Sequence, residues 1–230
     1  SVATNFFVAN YNDGMEQDVY LIGADVTVPM DALTLVAEID VFTGDASDTT
    51  DAMGTQVMVD AGFALSDALT IGGQVFYAAG DDEDVQYTGL GNGFGGWDPV
   101  MDVGTSLSNE QITFGSPFNV AQIGNKEVGS LSLASAGSTG LRAYTSFKAS
   151  DALTFGASAA YFESEEDEIA DIEVMALAAG MVLKVMENTT FQAQLQYTDG
   201  TINETDTVLV GEGDQDFDSF RAGTGLFVKF

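Results

Sequence analysis

Two carboxylates, Glu38 and Asp40, have the residue types and spacing that most directly suggest chemistry. They lie two positions apart in "LVAEIDVF", so an extended strand would place both on one face. Paired carboxyl groups can serve as general acid and general base. The chain has no histidine and no cysteine, which removes the usual general base and every Ser-His or Cys-His nucleophile pair. We therefore predict that the protein is not an enzyme and that this pair lines a polar surface.

A large excess of acid excludes another class of function. The chain has 36 Asp plus Glu against 6 Lys plus Arg, a formal net charge of −30. This charge repels nucleic acid, so no nucleic-acid partner is expected. Acidic residues gather in runs at 80–86, 163–168 and 211–218, but none has EF-hand spacing. We predict no metal site and no cofactor, beyond weak binding of divalent cations by the acidic loops.

The carboxylates belong to segments whose apolar residues alternate with polar or small ones. In "FQAQLQY", Phe191 and Leu195 share one face while Gln192, Gln194 and Gln196 share the other. A period of two residues is typical of β-strands. The pattern predicts an all-β chain with about twelve antiparallel strands, near 2–12, 17–28, 33–43, 55–65, 69–79, 109–115, 126–135, 139–149, 153–163, 171–184, 189–198 and 216–230.

The connections between these strands are of two kinds. "SDALT" occurs at 66–70 and again at 150–154, and "MDALT" occurs at 30–34. Asp and Ser next to small residues favour a tight hairpin turn. Short connections are predicted at 29–32, 66–68, 150–152 and 185–188, and longer acidic ones at 44–54, 80–108, 164–170 and 199–215. The two ends of the structure should therefore differ.

The apolar faces indicate strands that cross a membrane. The longest apolar run, residues 174–183, is shorter than the roughly 18 to 20 residues of a membrane helix, whereas a tilted barrel strand needs only about 9 to 11. A soluble antiparallel sandwich or jelly roll would also alternate, but its outward faces would carry charge. Here the non-apolar faces carry Gln, Ser, Thr and Gly, and charge is concentrated in the loops. This favours one barrel domain, residues 1–230, with lipid outside and water inside.

The final residues resemble a known superfamily. "AGTGLFVKF" ends in an aromatic residue and places Ala222, Leu226, Val228 and Phe230 on one face. It is similar to the terminal strand of Gram-negative outer-membrane β-barrel porins, and the "SDALT" hairpins resemble periplasmic turns of porins. The resemblance implies an outer-membrane location with lipid and lipopolysaccharide around the barrel, recognition of Phe230 by the barrel-assembly machinery, and an association such as the homotrimer common in porins.

A barrel with a polar interior suits the passage of solutes. Aliphatic side chains that face lipid leave the polar positions of each strand to face inward. We expect a porin for passive diffusion of small hydrophilic solutes and ions, with a preference for cations because of the acidic residues. The predicted pore-lining residues are Glu38, Asp40, Asp60, Arg142, Lys148, Gln192, Gln194, Gln196 and Arg221.

The longest connection, residues 80–108, contains the one tryptophan of the chain. Loops of this length are usually functional or disordered, and in porins a comparable loop folds into the barrel and narrows it. We predict a constriction loop that uses Asp82, Glu83, Asp84, Trp97, Asp98 and Asp102. The alternative is an external loop that contacts a neighbour or lipopolysaccharide.

Three other functions stay open at this point. The first is a substrate-selective channel for acidic sugars or nucleosides, which would need a denser basic or aromatic lining. The second is a structural barrel that anchors or sheathes a partner complex and is plugged. The third is a soluble β-rich binding module. Since the chain starts directly on a strand, it could also be a fragment of a larger porin with 16 to 18 strands.

Overall fold

The computed structural model describes residues 2–12, 18–47, 50–79, 85–86, 138–165, 171–203 and 215–229. Every regular element in them is a β-strand, and no helix among these residues is long and apolar enough to cross a membrane. The strands are β1 (Ala3–Asn12), β2 (Asp18–Met30), β3 (Leu33–Ser47), β4 (Thr50–Ser66), β5 (Leu69–Ala78), β6 (Val85–Gln86), β7 (Ser138–Lys148), β8 (Leu153–Glu163), β9 (Asp171–Met186), β10 (Thr189–Asn203) and β11 (Gln215–Val228).

The strands form one sheet whose spatial order follows the chain. The order is β1-β2-β3-β4-β5-β7-β8-β9-β10-β11, and each strand on this path pairs antiparallel with the next. The short β6 lies off the path and pairs parallel with β4. Among the described pairs, none joins the end strands β1 and β11. The predicted all-β antiparallel architecture is confirmed.

Ten predicted strands coincide with β1–β5 and β7–β11, and the structure adds a strand pairing that the sequence pattern did not predict. The sequence pattern placed two strands, 109–115 and 126–135, between those now labelled β5 and β7. Both segments lie outside the described residues. However, β5 pairs directly with β7, with Gln74 opposite Arg142 and Val75 opposite Leu141. No strand therefore separates β5 from β7, a pairing that local alternation could not reveal.

The repeated "SDALT" segments form the same turn twice. Ser66 Oγ accepts hydrogen bonds from the backbone N–H groups of Ala68 and Leu69 at 3.3 and 3.2 Å. In the second turn Ser150 Oγ accepts from Ala152 and Leu153 at 3.2 and 3.1 Å. In each turn the serine hydroxyl thus serves as an acceptor for two backbone N–H groups of the bend. The predicted short turns are confirmed.

The two faces of the sheet differ as a barrel in lipid requires. On one face, large apolar side chains such as Val75, Ile22 and Leu195 are about half exposed. Leaving a side chain of this kind in water instead of burying it costs roughly 1.5–3 kcal/mol. On the other face Asp40, Gln56 and Gln196 are buried. We call the first face outer and the second face inner.

Candidate functional site

The inner face of β2 and β3 carries three carboxylates, which we call the acidic trio: Asp25, Glu38 and Asp40. Asp25 and Glu38 are directly opposite each other across the strand pair. Asn5 Nδ2 donates to Asp25 Oδ1 at 2.9 Å. Asp40 Oδ2 accepts a 2.6 Å hydrogen bond from Gln56 Nε2. The two carboxylates singled out in the sequence thus lie on one face, as predicted, together with a third that the pattern did not single out.

A second polar group joins three neighbouring strands of the inner face. Tyr144 on β7 donates its hydroxyl to Asp60 Oδ1 on β4 at 2.8 Å. The Arg142 guanidinium carbon lies 5.3 Å from the centre of the Tyr144 ring, within reach of a cation–π contact. Arg142 is 5 % exposed. The wall therefore brings a buried cation, an aromatic ring and a carboxylate together. Tyr144 and Asp60 are 84 residues apart in the sequence.

Glycines make room for this group. A Cβ atom at Gly72 would lie 2.1 Å from Tyr144 Cζ, and one at Gly62 would lie 3.1 Å from the Tyr144 hydroxyl. Gly62 and Gly72 are cross-strand partners on β4 and β5. The ring therefore lies flat over two strands instead of projecting away from the wall. Tyr144 was missed by the sequence analysis. It lies two residues after Arg142, so the two side chains share one face of a strand, and this spacing could have indicated it.

The three predicted glutamines of β10 line the inner face as a row. Gln192, Gln194 and Gln196 are buried, at 4, 7 and 2 % exposure. Gln196 Nε2 donates to Thr198 Oγ1 at 3.1 Å. Across β11, glycines stand opposite Gln192 and Gln194, and the backbone of Arg221 stands opposite Gln196. The three glutamine side chains are therefore packed against neighbouring residues of the wall and have little contact with water.

Charge on the inner face is divided between two groups of strands. The acids occupy β2 to β4, whereas the basic residues Arg142 and Lys148 lie on β7. Lys184, on the same face of β9 as the buried Val174 and Ala176, was not predicted. Lys184 follows two apolar residues near the end of β9, just as Lys229 follows two apolar residues at the end of β11. This repeated pattern could have indicated Lys184.

Lys148 stands at the turn end of the wall. Its Nζ atom forms a 2.8 Å ion pair with Asp151 Oδ1 in the following turn. The hydrogen bond from Lys148 holds the pKa of Asp151 below its usual range. Both side chains are well exposed, so solvent screens the pair and its effect on stability is small.

Tyrosines mark the outer face near the loop end, a belt that the sequence analysis did not identify. Tyrosine is typical of the boundary between lipid and water. The segments "DVY", "YFE" and "YTD" contain the signal, an acid two residues from a tyrosine. Each hydroxyl donates to a carboxylate: Tyr20 to Asp18 at 3.4 Å, Tyr161 to Glu163 at 2.8 Å, Tyr197 to Asp199 at 3.0 Å, and Tyr77 to Glu165.

Several predicted site residues fall outside the described part of the chain. Phe230, the predicted assembly signal, is one of them. So are all six residues of the predicted constriction loop, Asp82, Glu83, Asp84, Trp97, Asp98 and Asp102. Within the described ranges, no group of three Asp or Glu side chains could hold a metal ion.

Strands that turn apolar side chains outward and polar side chains inward define the transmembrane β-barrel class, and the predicted fold class is confirmed. Similar solved structures are outer-membrane proteins of low sequence identity. The in-vitro folded OmpT of Vibrio cholerae, an outer membrane protein in trimer form, superposes with a TM-score of 0.54 at 13% identity over 98% of this chain and 63% of its own. The outer membrane channel DcaP of Acinetobacter baumannii superposes with a TM-score of 0.50 at 12% identity, over 96% of this chain and 61% of its own.

A further structure, outer-membrane expressed OmpT of Vibrio cholerae, gives a TM-score of 0.50 at 12% identity over 91% of this chain and 56% of its own. The chain thus spans between 56 and 63% of the length of these three structures. No protein-family model matches the chain, and no curated protein matches it in sequence.

Proposed function

We propose that the protein is an outer-membrane porin, a single barrel domain over residues 1–230 through which small hydrophilic solutes and ions diffuse passively. The observation that carries this proposal is the two-faced wall. Its outer face exposes large apolar side chains on every long strand; Val75 and Leu226, for example, are 56 and 63% exposed. An apolar surface of this extent is suited to contact with lipid. Its inner face offers carboxylates, amides and a guanidinium group. DcaP, with a similar fold, is described as a channel.

The charges support a preference for cations. The net charge of −30 raises the local concentration of cations near the protein. Within the wall, Glu38 and Asp60 are only partly buried, so they can act on passing ions. The proposed pore lining is the predicted set, with Lys148 at the turn end and the three glutamines of β10 in the wall.

The direction of β6 supports a constriction. Val85 and Gln86 run parallel to Ala52 and Met53 of β4, although β5 runs antiparallel to β4. The other edge of β4 is occupied there by β3. The direction of β6 therefore points toward β5, which already fills the wall at that edge of β4. We propose that the chain after β6 turns inward, with Trp97, Asp98 and Asp102 narrowing the lumen and Asp82, Glu83 and Asp84 at its mouth.

The surroundings proposed for the barrel follow from its outer face. Lipid contacts the apolar band, and lipopolysaccharide meets the tyrosine belt at the loop end, where porins face outward. The barrel-assembly machinery would recognise the terminal strand through Phe230. A homotrimer is proposed as well, because a protein of similar fold is described in a trimer form.

Conductance tests the proposal. The purified protein is inserted in a planar bilayer under a potassium chloride gradient, and the reversal potential is measured. We expect stable steps with cation preference, which Asp98→Asn and Asp102→Asn should reduce. A reversal potential that favours anions contradicts the cation preference, and a correctly inserted barrel without steps contradicts the porin.

A second function, a plugged barrel that anchors or sheathes a partner complex, is favoured by one observation. Inner-face residues near the loop end are buried like a protein core: Val19 is 0%, Phe42 1% and Val174 2% exposed. A silent but folded barrel would support this function. A channel selective for acidic sugars or nucleosides is less well supported, because the described lysines lie at the turn end.

A further inference from the structure

A groove crosses the outer face of β8 to β11. The side chains that form it include Phe155, Ala179, Met181, Ala193, Leu195 and Ala222. Its volume is about 460 Å³, within the range of roughly 300–1,000 Å³ that is typical of sites for small ligands. Phe155 and Leu195 are 42 and 51% exposed, so the groove is open to whatever surrounds the outer face.

The register of the strands explains the groove. Leu195 has Ala179 and Ala222 as its cross-strand partners, and Ala193, two residues away on β10, has Met181. Alternate residues of a strand share a face, so these side chains lie side by side on the outer face. The methyl group of an alanine projects less from the sheet than the side chain of Leu or Met. The alanines therefore form a floor between taller walls.

The groove lies on the lipid side of the tyrosine belt. Tyr197 follows Leu195 by two residues on the same face, a distance of about 7 Å along the strand. Tyrosines in such a belt mark the boundary between lipid and water. Ala179 lies near the middle of β9, which runs from Asp171 to Met186. A groove at this depth is surrounded by hydrocarbon, so its occupant is apolar.

Two apolar occupants fit such a position, a lipid chain or a side chain from another copy of the protein. Ten residues line the groove, whereas each side of a standard protein–protein interface has about 20–30 residues. In lipid, the association of proteins depends on close packing over a whole interface, because the hydrophobic effect does not favour it there. The groove alone is too small for such an interface, while a flexible chain can follow it.

We propose that the groove is a binding site for one acyl chain of a membrane lipid whose head group lies at the level of Tyr197. The inference rests on the proposed contact of the outer face with lipid, and it deepens that contact by assigning one chain to a fixed position. The chain packs against Phe155, Met181 and Leu195, and many weak dispersion contacts add together. A concave wall offers more of these contacts than a flat one, so this lipid should exchange more slowly than its neighbours.

The test is native mass spectrometry of the full chain, folded in detergent and titrated with palmitoyl-oleoyl phosphatidylethanolamine. We expect the wild-type protein to retain one lipid. Ala193→Leu and Ala222→Leu fill the floor of the groove and should each raise the lipid concentration for half occupancy by about tenfold. Ala143→Leu adds the same side chain at an exposed outer-face position of β7 outside the groove and should leave retention unchanged. Phosphatidylglycerol with the same chains should give the same losses, because the groove binds the chain.

Four results would overturn the inference: no lipid retained by the wild-type protein, equal weakening by Ala143→Leu, losses with only one of the two head groups, or oligomers that the groove variants disperse. The last result would assign the groove to another copy of the protein. If one groove variant does not fold, the other carries the test. The titration needs no conduction, so a silent barrel that retains the lipid contradicts only the porin, and a conducting barrel that retains none contradicts only the site.

Discussion

The inner wall near the loops and the inner wall near the short turns are built differently. Along β9, the loop-end residues Ile172 and Val174 are 3 and 2% exposed. Further along the same face, Val182 is partly buried and Lys184 is exposed. On the inner face of β9, the loop half is packed like the core of a soluble protein, while the turn half is more exposed, although Gln192 opposite Val182 on β10 is buried. We infer that folding stability is concentrated in the loop half and that the turn half is available to solutes.

The largest effect is expected from placing a charge in each half. Val174→Asp buries a carboxylate without a partner and should reduce the free energy of unfolding by about 3–5 kcal/mol. Val182→Asp, on the same face of the same strand, should cost about 1 kcal/mol or less because water reaches it. Urea unfolding of both variants in detergent measures the difference. Equal losses would show that the halves do not differ.

A smaller effect is expected where Tyr144 crosses the wall. Gly72→Ala puts a Cβ atom 2.1 Å from Tyr144 Cζ, so the ring must move and its bond to Asp60 is lost. We expect a loss of about 1–3 kcal/mol in unfolding free energy. Gly73→Ala is the matched control, because its Cβ atom would meet only Arg142 O at 3.5 Å. A loss in the control as large as in Gly72→Ala would mean that the ring is not the cause.

The hydroxyl of Tyr144 gives a still smaller and more specific effect. Tyr144→Phe keeps the ring over the glycines but removes the donor to Asp60. We expect a loss of about 1 kcal/mol and, in the porin, a change in reversal potential, because Asp60 is no longer held in place. A reversal potential that stays at the wild-type value, with stability reduced, would limit Tyr144 to a structural role.

The smallest effect is expected at the turn end. Asp151→Asn removes the ion pair with Lys148, whose partners are 50% and 99% exposed. Since the pKa of Asp151 is lowered in the folded state, its contribution is present above the unfolded pKa and disappears as pH falls through the folded pKa. Because the pair is exposed, we expect no measurable shift in urea midpoint at pH 7. A clear shift that vanishes in acid would contradict this.

Much of the fold could be predicted because alternation is local. The strand faces at Gln192, Gln194 and Gln196 follow from a period of two residues, and the Ser66 and Ser150 turns follow from short repeated segments. The pairing of β5 with β7 could not be predicted, since the two strands are far apart in the chain and a period of two fixes a face but no partner. Burial also escaped prediction: Asp40 and Glu38 share a face and both carry a carboxyl group, yet Asp40 is buried and Glu38 only partly so.

The sequence by itself determined the strands, their two faces, the short turns and the acidic character, because each depends on neighbouring residues or on composition. Only the tertiary structure decided which side chains meet: Tyr144 with Asp60, Asp40 with Gln56, and the packing around Phe42. These contacts join residues from different strands, so they exist only once pairing fixes the register. The chemistry of the inner face therefore depends on the fold, while the existence of an inner face is already present in the sequence.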